Sequence, residues 1–529
     1  MRAGKSGAAF RRWGYVAWVV LIAAFAVLHA LNLRADFPNH SAWTFDWAKY
    51  TDEGWYGNAA IRAHLFGNWY MAGDFNPAVA VPVWPFVEWV LFFFTGVTIE
   101  AARGLAVACF FANLVLSYAL LRVRGSKPMA LAAVTLVATS PFLYCFSRLA
   151  ILEPLQTTLF LIALNLAVRL NLMRRPGIAS AGVGALLAMT MLTKTTALFL
   201  LPAVLWVIVL VLWQKRWLAL RCALTATAAM GLTYGAWLAL IAARGLMGDF
   251  RYYFFINTYD KPTQFYWPLL SLWWSMHGMW WVDHNLILLA CVMALGSVVA
   301  CRTAWGRKLW SEPLYGCSLL TVAGYVLFMA LQNHPQPRYY AVPAVFCMFL
   351  VALTAEALLR ETGWVKTVGW VAVVAIAAAV AEHGVRVAGF AAHPEYTYVN
   401  AAAQLTQYID AHPNGRRLVV SISGDDLTLM THLPTLCDDF GTEPLVTKLG
   451  HYQPGWYASW NDLDPGTLED LHSRYSLEQV AVFDALDDPE RNRLVLFKLH
   501  PLAGGRVRDA GDENLKDMLP DDRFDVPVE

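Results

Sequence analysis

The sequence predicts an α-helical integral membrane protein of about eleven spanning helices, with a small α/β domain at its C-terminal end. Three observations lead there. Of 529 residues, 58% are hydrophobic and 15% charged, with 23 Trp and 28 Phe, more apolar surface than a soluble chain of this length can hide. Apolar windows of about 20 residues recur as far as residue 381. Basic residues gather in alternate loops between those windows.

Arg2, Lys5, Arg11 and Arg12 hold the N-terminus in the cytoplasm. The first apolar run, Trp13 to Leu33, is long enough to span. The cleavage-like triplet Ala24-Phe25-Ala26 lies inside it, which favours an uncleaved helix over a signal peptide. The stretch Val79–Thr98 carries Pro82, Pro85 and Glu88 and reads as a helix lying in the interface. Spans are then expected near 103–121, 128–146, 152–172, 177–194, 196–213, 218–243, 284–301, 313–331, 339–359 and 364–381. Every inner loop becomes basic: Arg122/Arg124/Lys127, Arg174/Arg175, Lys215/Arg216/Arg221, Arg302/Arg307/Lys308 and Arg360/Lys366. If 79–98 crossed as well, those clusters would face the wrong side. The pattern describes a multi-pass protein of an inner (plasma) membrane.

From about His393 the chain turns polar and acidic, with helical periodicity near 396–411 and 467–474 and β-rich runs at 418–422, 480–483 and 494–499. An odd number of spans places this part outside. The expected division is a membrane domain over 1–392, with a first outer loop at 35–102, and an extracytoplasmic α/β domain over 393–529. Gly424-Asp425-Asp426 reads there as a turn followed by a short helix. A net charge of +1 without a Lys/Arg run argues against a nucleic-acid partner. Seven of the eight Cys fall in apolar segments and Cys437 stands alone, so neither a disulfide framework nor a CxxC pair is present. His64, His277, His284 and His334 lack metal-ligand spacing.

Ionisable groups near a bilayer are costly and usually functional. They collect at the outer mouth: Thr51-Asp52-Glu53-Gly54, Arg103, Arg148 and Glu153, Lys194, then Asn257, Asp260 and Lys261, and finally His334 to Arg338. Each has a plainer explanation. Asp52, Glu53 and Glu153 suit helix starts, Lys194 can snorkel to headgroups, and Arg103 and Arg148 can anchor loops. The Tyr/Trp-rich stretch 252–281 suits an aromatic belt.

Six segments in order carry a resemblance: TDEGWYGNAA (51–60), GVTIEAARGL (96–105), TSPFLYCFSRLAILEP (139–154), MLTKTTALFLLP (191–202), GDFRYYFFINTYDKP (248–262) and PRYYAVPAVF (337–346). Over about 13–360 the chain resembles membrane glycosyltransferases of the protein O-mannosyltransferase and aminoarabinose-transferase type, the GT-C architecture. The resemblance implies transfer of a sugar from a polyprenyl-phosphate carrier to a lipid, glycan or protein acceptor on the outer side. Position by position it makes Asp52 the catalytic base, Glu53 the second acid of the first-loop pair, and Glu153 the acid opening a later helix. Arg103 and Lys194 match basic positions near the carrier phosphate, and Arg338-Tyr339-Tyr340 matches the segment before the late helix. Arg148 joins the phosphate-binding candidates, and Tyr339, Asn257 and Lys261 the substrate-binding ones. Where many relatives have Lys-Pro-Pro or His-Pro-Pro, this chain reads Asn76-Pro77-Ala78-Val79. Trp280-Trp281-Val282-Asp283 only superficially echoes the oligosaccharyltransferase motif.

The chemistry is consistent with those roles. A lipid-phosphate sugar already carries a good leaving group, so the site needs a carboxylate for the acceptor proton and fixed cations for the departing phosphate. Attack opposite the phosphate would invert the anomeric centre. A divalent ion shared by Asp52 and Glu153 is left open, and no other cofactor is implied. The competing expectation is a transporter or flippase for a lipid-linked sugar, which favours internal repeats and charges near the midplane. A polymerase or ligase would share the donor but usually lacks paired first-loop acids.

Overall fold

The computed structural model describes residues 3–38, 43, 46–256, 267–332, 335–461, 463–488 and 491–502. Helix α1 (Ala3–Ala30) leads into a segment holding α2 (Asp52–Phe66) and α3 (Val83–Thr95). A bundle follows: α4 (Ile99–Leu121), α5 (Lys127–Thr139), α6 (Pro141–Phe146), α7 (Leu152–Ala167), α8 (Pro176–Thr193), α9 (Leu201–Val211) and α10 (Arg216–Ala243). After α11 (Met247–Arg251) and α12 (Trp267–Gly278) come α13 (His284–Val299), α14 (Ala304–Trp310), α15 (Pro313–Gln332), α16 (Ala341–Leu359) and α17 (Gly363–Ala392).

Among the described residues eight helices are long and apolar enough to cross a bilayer, so the expected count of eleven full spans is not reproduced. The other three expected positions hold shorter, interrupted helices. Ser140 ends α5 in an extended conformation and its Oγ accepts from the Leu143 N–H, opening α6 with Pro141 in its first turn. Helix α7 is followed by a 3-10 turn at Leu170–Leu172, and α9 is preceded by one at Thr195–Leu200. Most residues of α5 and α7 are buried. Breaks of this kind are tolerated where protein rather than lipid covers the freed backbone groups.

Helix α16 is the axis of the bundle; its window is 83% buried, against 6% for α1 and 11% for α10, whose apolar faces point outward. Helix α3 is two-faced: Phe86, Phe93 and Phe94 are exposed, whereas Trp84, Glu88 and Phe92 are buried. Its 13 residues reach only about 20 Å.

The C-terminal part adds α18 (Thr397–Ala411), α19 (Gly424–Thr431), α20 (Leu445–Tyr452) and α21 (Pro465–His472). They surround a five-stranded mixed sheet of order β2-β1-β3-β5-β4. Its strands are β1 (Val419–Val420), β2 (Thr435–Leu436), β3 (Trp456–Trp460), β4 (Tyr475–Asp484) and β5 (Arg493–Pro501). β1 is parallel to β2 and β3, and β5 is antiparallel to β3 and β4. The expected runs contain β1, part of β4 and most of β5; β2 was not anticipated, and neither was β3. All its residues are buried, so no polar alternation marks it.

The segment between α1 and α4 supplies side chains to the cores of this C-terminal part. Tyr50 packs with Tyr398 and Trp460, Met71 with Leu418 and Tyr457, and Trp55 and Phe75 with Cys437. In return Leu429 of α19 joins Trp84, Val97 and Ile99. This shared packing positions the start of α2.

Candidate active site

Helix α2 begins at Asp52, whose acidic side chain in the first turn suits the helix dipole. Asp52 is not the cap: Thr51 occupies that position, and its hydroxyl turns back to the Trp47 carbonyl at 2.9 Å. The Asp52 carboxylate, 1% exposed, instead faces Arg338, with Oδ2 2.8 Å from Nε. Arg338 lies in the 3-10 turn Pro337–Tyr340 that opens α16. Its guanidinium donates to Asp46 Oδ1 at 2.6 Å, and its backbone N–H to Asp46 Oδ2 at 2.8 Å. Asp46 is itself fixed by capping the short turn Trp47–Lys49. One arginine thus ties the loop before α2 to the entrance of α16.

A second ion pair stands beside the first. Glu153 lies in the first turn of α7, and Lys194 is the extended residue at which α8 ends. The Lys194 ammonium donates to Glu153 Oε1, and among the described residues the buried Glu153 Oε2 has no hydrogen-bond partner. The Tyr339 ring joins the pairs: Lys194 Nζ lies 4.6 Å from its centroid and Arg338 Cζ 5.0 Å. Burial pushes the Asp52 carboxyl up to about 6, against the pull of Arg338.

Two tyrosines not singled out in the sequence also belong here. Tyr56, one turn beyond Asp52 in α2, lies beside Tyr253, and both sense the Asp52 charge. Burial raises both phenols above their ordinary value. The i, i+4 spacing from Asp52 to Tyr56 was a usable signal. Tyr253 was hidden within an aromatic-belt pattern.

Other sequence candidates lie elsewhere. Glu53 forms a bidentate pair with Arg103, at 2.7 and 2.6 Å, and accepts the Ala150 N–H at 2.8 Å. Arg103 also donates to the Leu33 and Ala35 carbonyls. Both residues join α2, α4 and the turn before α7, so the expected second acid and the expected phosphate cation face each other. Their donors and acceptors are committed to protein. Arg148 bonds Tyr144 and the carbonyls of Leu28 and Asn32, away from the Lys194–Arg338 pair. Asn257 and Lys261 lie outside the described residues.

Helix α19 buttresses α2 from the far side. The Gly54 N–H donates to Asp426, Asn58 donates to Asp425 Oδ2 at 3.0 Å, and Arg62 donates to Asp425 Oδ1 at 2.8 Å. Residues 54, 58 and 62 share one face of α2. Arg62 also donates to Asp74, 2.8 Å away. A Cβ on Gly54 would lie 2.1 Å from the Asp425 backbone, so only glycine permits this approach. Gly424-Asp425-Asp426, expected as a turn and helix start, does open α19, but it also holds the helix that carries Asp52.

Asp52 and Glu153, between which a shared divalent ion was left open, each face a cation here. Among the described residues, the trio whose ligand atoms converge is Asp283, Glu382 and His383. His383 Nε2 lies 2.6 Å from Asp283 Oδ2, a hydrogen bond that accounts for this approach without a metal.

No protein-family model matches the sequence, and no curated protein does. Solved structures do. ArnT from Cupriavidus metallidurans in the apo state superposes with a TM-score of 0.57 at 17% identity, over 92% of this chain and 98% of that one. The same protein bound to undecaprenyl phosphate gives 0.56 at 16% identity, over 91% and 98%. The apo oligosaccharyltransferase of Archaeoglobus fulgidus gives 0.50 at 12% identity, over 86% and 70%. At these identities the likeness establishes architecture. The chain has the GT-C fold: a bundle of membrane helices followed by a small C-terminal α/β part.

Proposed function

We propose that this protein is a membrane glycosyltransferase that moves a sugar from a polyprenyl-phosphate carrier to an acceptor hydroxyl on the extracytoplasmic face of the inner membrane. The observation that carries the proposal is the paired cluster. Asp52–Arg338 and Glu153–Lys194 meet at Tyr339, in a fold shared with a protein crystallised with undecaprenyl phosphate.

In this reading Asp52 accepts the acceptor's proton as the new glycosidic bond forms, and a carboxyl near 6 is ionised at neutral pH. Lys194 and Arg338 stabilise charge accumulating on the departing phosphate. Both are already half-neutralised by carboxylates, so the phosphate competes for partly engaged donors, and release of the product is eased. Glu153, one of whose carboxylate oxygens has no partner among the described residues, orients the acceptor. Tyr339 fixes both cations, and Tyr56 and Tyr253 line the approach to Asp52. Displacement at the anomeric carbon breaks its bond to phosphate and inverts the centre. The C-terminal part, from about 393, lies on the same side and supports α2 rather than supplying catalytic groups.

Incubating the purified protein with a panel of polyprenyl-phosphate sugars tests the proposal. Release of polyprenyl phosphate from one or a few donors is expected. Failure to release it from any donor, with or without acceptor extracts, would contradict it.

A further inference from the structure

Four cations were expected to share one phosphate, but the structure separates them two and two. Lys194 and Arg338 stay with the carboxylate cluster. Arg103 and Arg148 line a different cavity of about 340 Å³, between the ends of α1 and α17 and the turn after α6. Arg103 is neutralised there by Glu53. Arg148 is not neutralised. It is 9% exposed, and its hydrogen bonds go to neutral acceptors: the Tyr144 hydroxyl, the Asn32 carbonyl at 2.7 Å and the Leu28 carbonyl at 3.4 Å. Among the described residues no carboxylate forms an ion pair with it, and the neighbouring Arg103 charge repels it. A buried guanidinium without a counter-charge is costly, so an anion entering the cavity would gain a desolvated, preoriented partner.

The rest of the lining narrows the ligand. Arg386 of α17 adds a second, exposed cation, loosely paired with Glu382 at 3.4 Å. Asp36 and Glu395 bring negative charge to the same cavity. An anionic headgroup would meet those acids as like charges, whereas a phosphate carrying an amine would satisfy both signs. Beside the cavity, Val27 of α1, Leu31 just after it and Val385 of α17 are exposed apolar side chains on or next to lipid-facing helices, a surface for acyl chains.

We infer that this cavity binds the headgroup of a zwitterionic, amine-bearing phospholipid, with its phosphate on Arg148 and its ammonium toward Glu395. The site is separate from the transfer cluster and does not depend on the transfer reading.

Native mass spectrometry of the full chain in detergent tests this directly. The protein would be delipidated and then offered equal amounts of dioleoyl phosphatidylethanolamine, dioleoyl phosphatidylglycerol and polyprenyl phosphate. The wild type is expected to retain one phosphatidylethanolamine in preference to the other two. Arg148→Gln should lower that retention at least tenfold, Arg386→Gln by less, and Glu395→Gln should erase the preference over phosphatidylglycerol. Equal retention of the anionic lipids by the wild type, or unchanged retention by Arg148→Gln, would overturn the inference. Should Arg148→Gln not fold, an unchanged lipid preference in Glu395→Gln would overturn it just as well. No sugar donor enters the measurement, so its outcome is independent of any transfer assay.

Discussion

Asp52 and Lys194 are ionisable groups held almost entirely out of water, and that burial makes their chemistry testable. Burial lifts the Asp52 carboxyl to about 6 in the folded protein, above its ordinary value of 3.8. As a base it works ionised, so turnover should rise with pH through about 6 and level off above it. A profile flat from pH 5 to 8 would exclude it as the rate-determining base. The same shift has a stability consequence. A raised folded-state pKa stabilises the protein below the unfolded value, and that contribution is lost as pH rises through about 6. Removing the charge should therefore cost no stability at pH 7.5, and Asp52→Asn should melt at or above the wild-type temperature. For Lys194 the partner left behind decides the outcome. Lys194→Ala leaves Glu153 buried and unpaired, so a loss of roughly 3–5 kcal/mol is expected. The double variant Lys194→Met/Glu153→Gln should recover most of that stability in a thermal melt while transfer stays low. Recovery of transfer as well would reduce the pair to a structural role. Asp52, Glu153, Lys194 and Arg338 stood out in the sequence because charges beside apolar runs are conspicuous. What could not be read was their pairing: Arg338 and Asp46 are separated by 292 positions. The pairing of Glu53 with Arg103, 50 positions on, was hidden in the same way.

Helix α2 shows how much one element depends on another far along the chain. Its face of Gly54, Asn58 and Arg62 is held by Asp425 and Asp426 at the start of α19. Gly54→Ala would push a methyl group into the Asp425 backbone. A cost of about 1–3 kcal/mol is expected from such overpacking. Because α2 carries Asp52, turnover should fall further than stability alone explains, measured at a temperature where the variant remains folded. Turnover matching the wild type under those conditions would mean α19 does not position the catalytic helix. The apolar helices were legible because long hydrophobic windows need no partner to be recognised, and α18 and α21 because their periodicity is local. The interruptions at Ser140-Pro141 and before Leu201 were read through, since a window average conceals a break inside an apolar run. β3 was missed because its residues are buried on both faces. The α2–α19 contact leaves no local trace at all.

At the scale of the whole molecule, the bundle, the segment between α1 and α4 and the C-terminal part share packed cores, with Tyr50, Met71 and Trp55 seated among residues of the C-terminal sheet and helices. The proposed sidedness rests on the basic loops. Single cysteines placed at exposed positions of the C-terminal part, such as Glu478, should react with an impermeant maleimide from the extracytoplasmic side. Cysteines at Arg122 or Arg307 should react only after permeabilisation, and the reverse pattern would invert the proposed topology. The central claim is that Asp52 removes the acceptor's proton at a site whose cations hold the carrier phosphate. Its most direct test is transfer by Asp52→Asn, measured together with binding of the lipid donor. The side chain keeps its size and loses its basicity, while Arg338 retains Asp46 as a partner. Turnover is expected to drop about a hundredfold or more, with donor affinity unchanged and the protein folded. A folded Asp52→Asn enzyme that binds donor and transfers at near the wild-type rate would contradict the account.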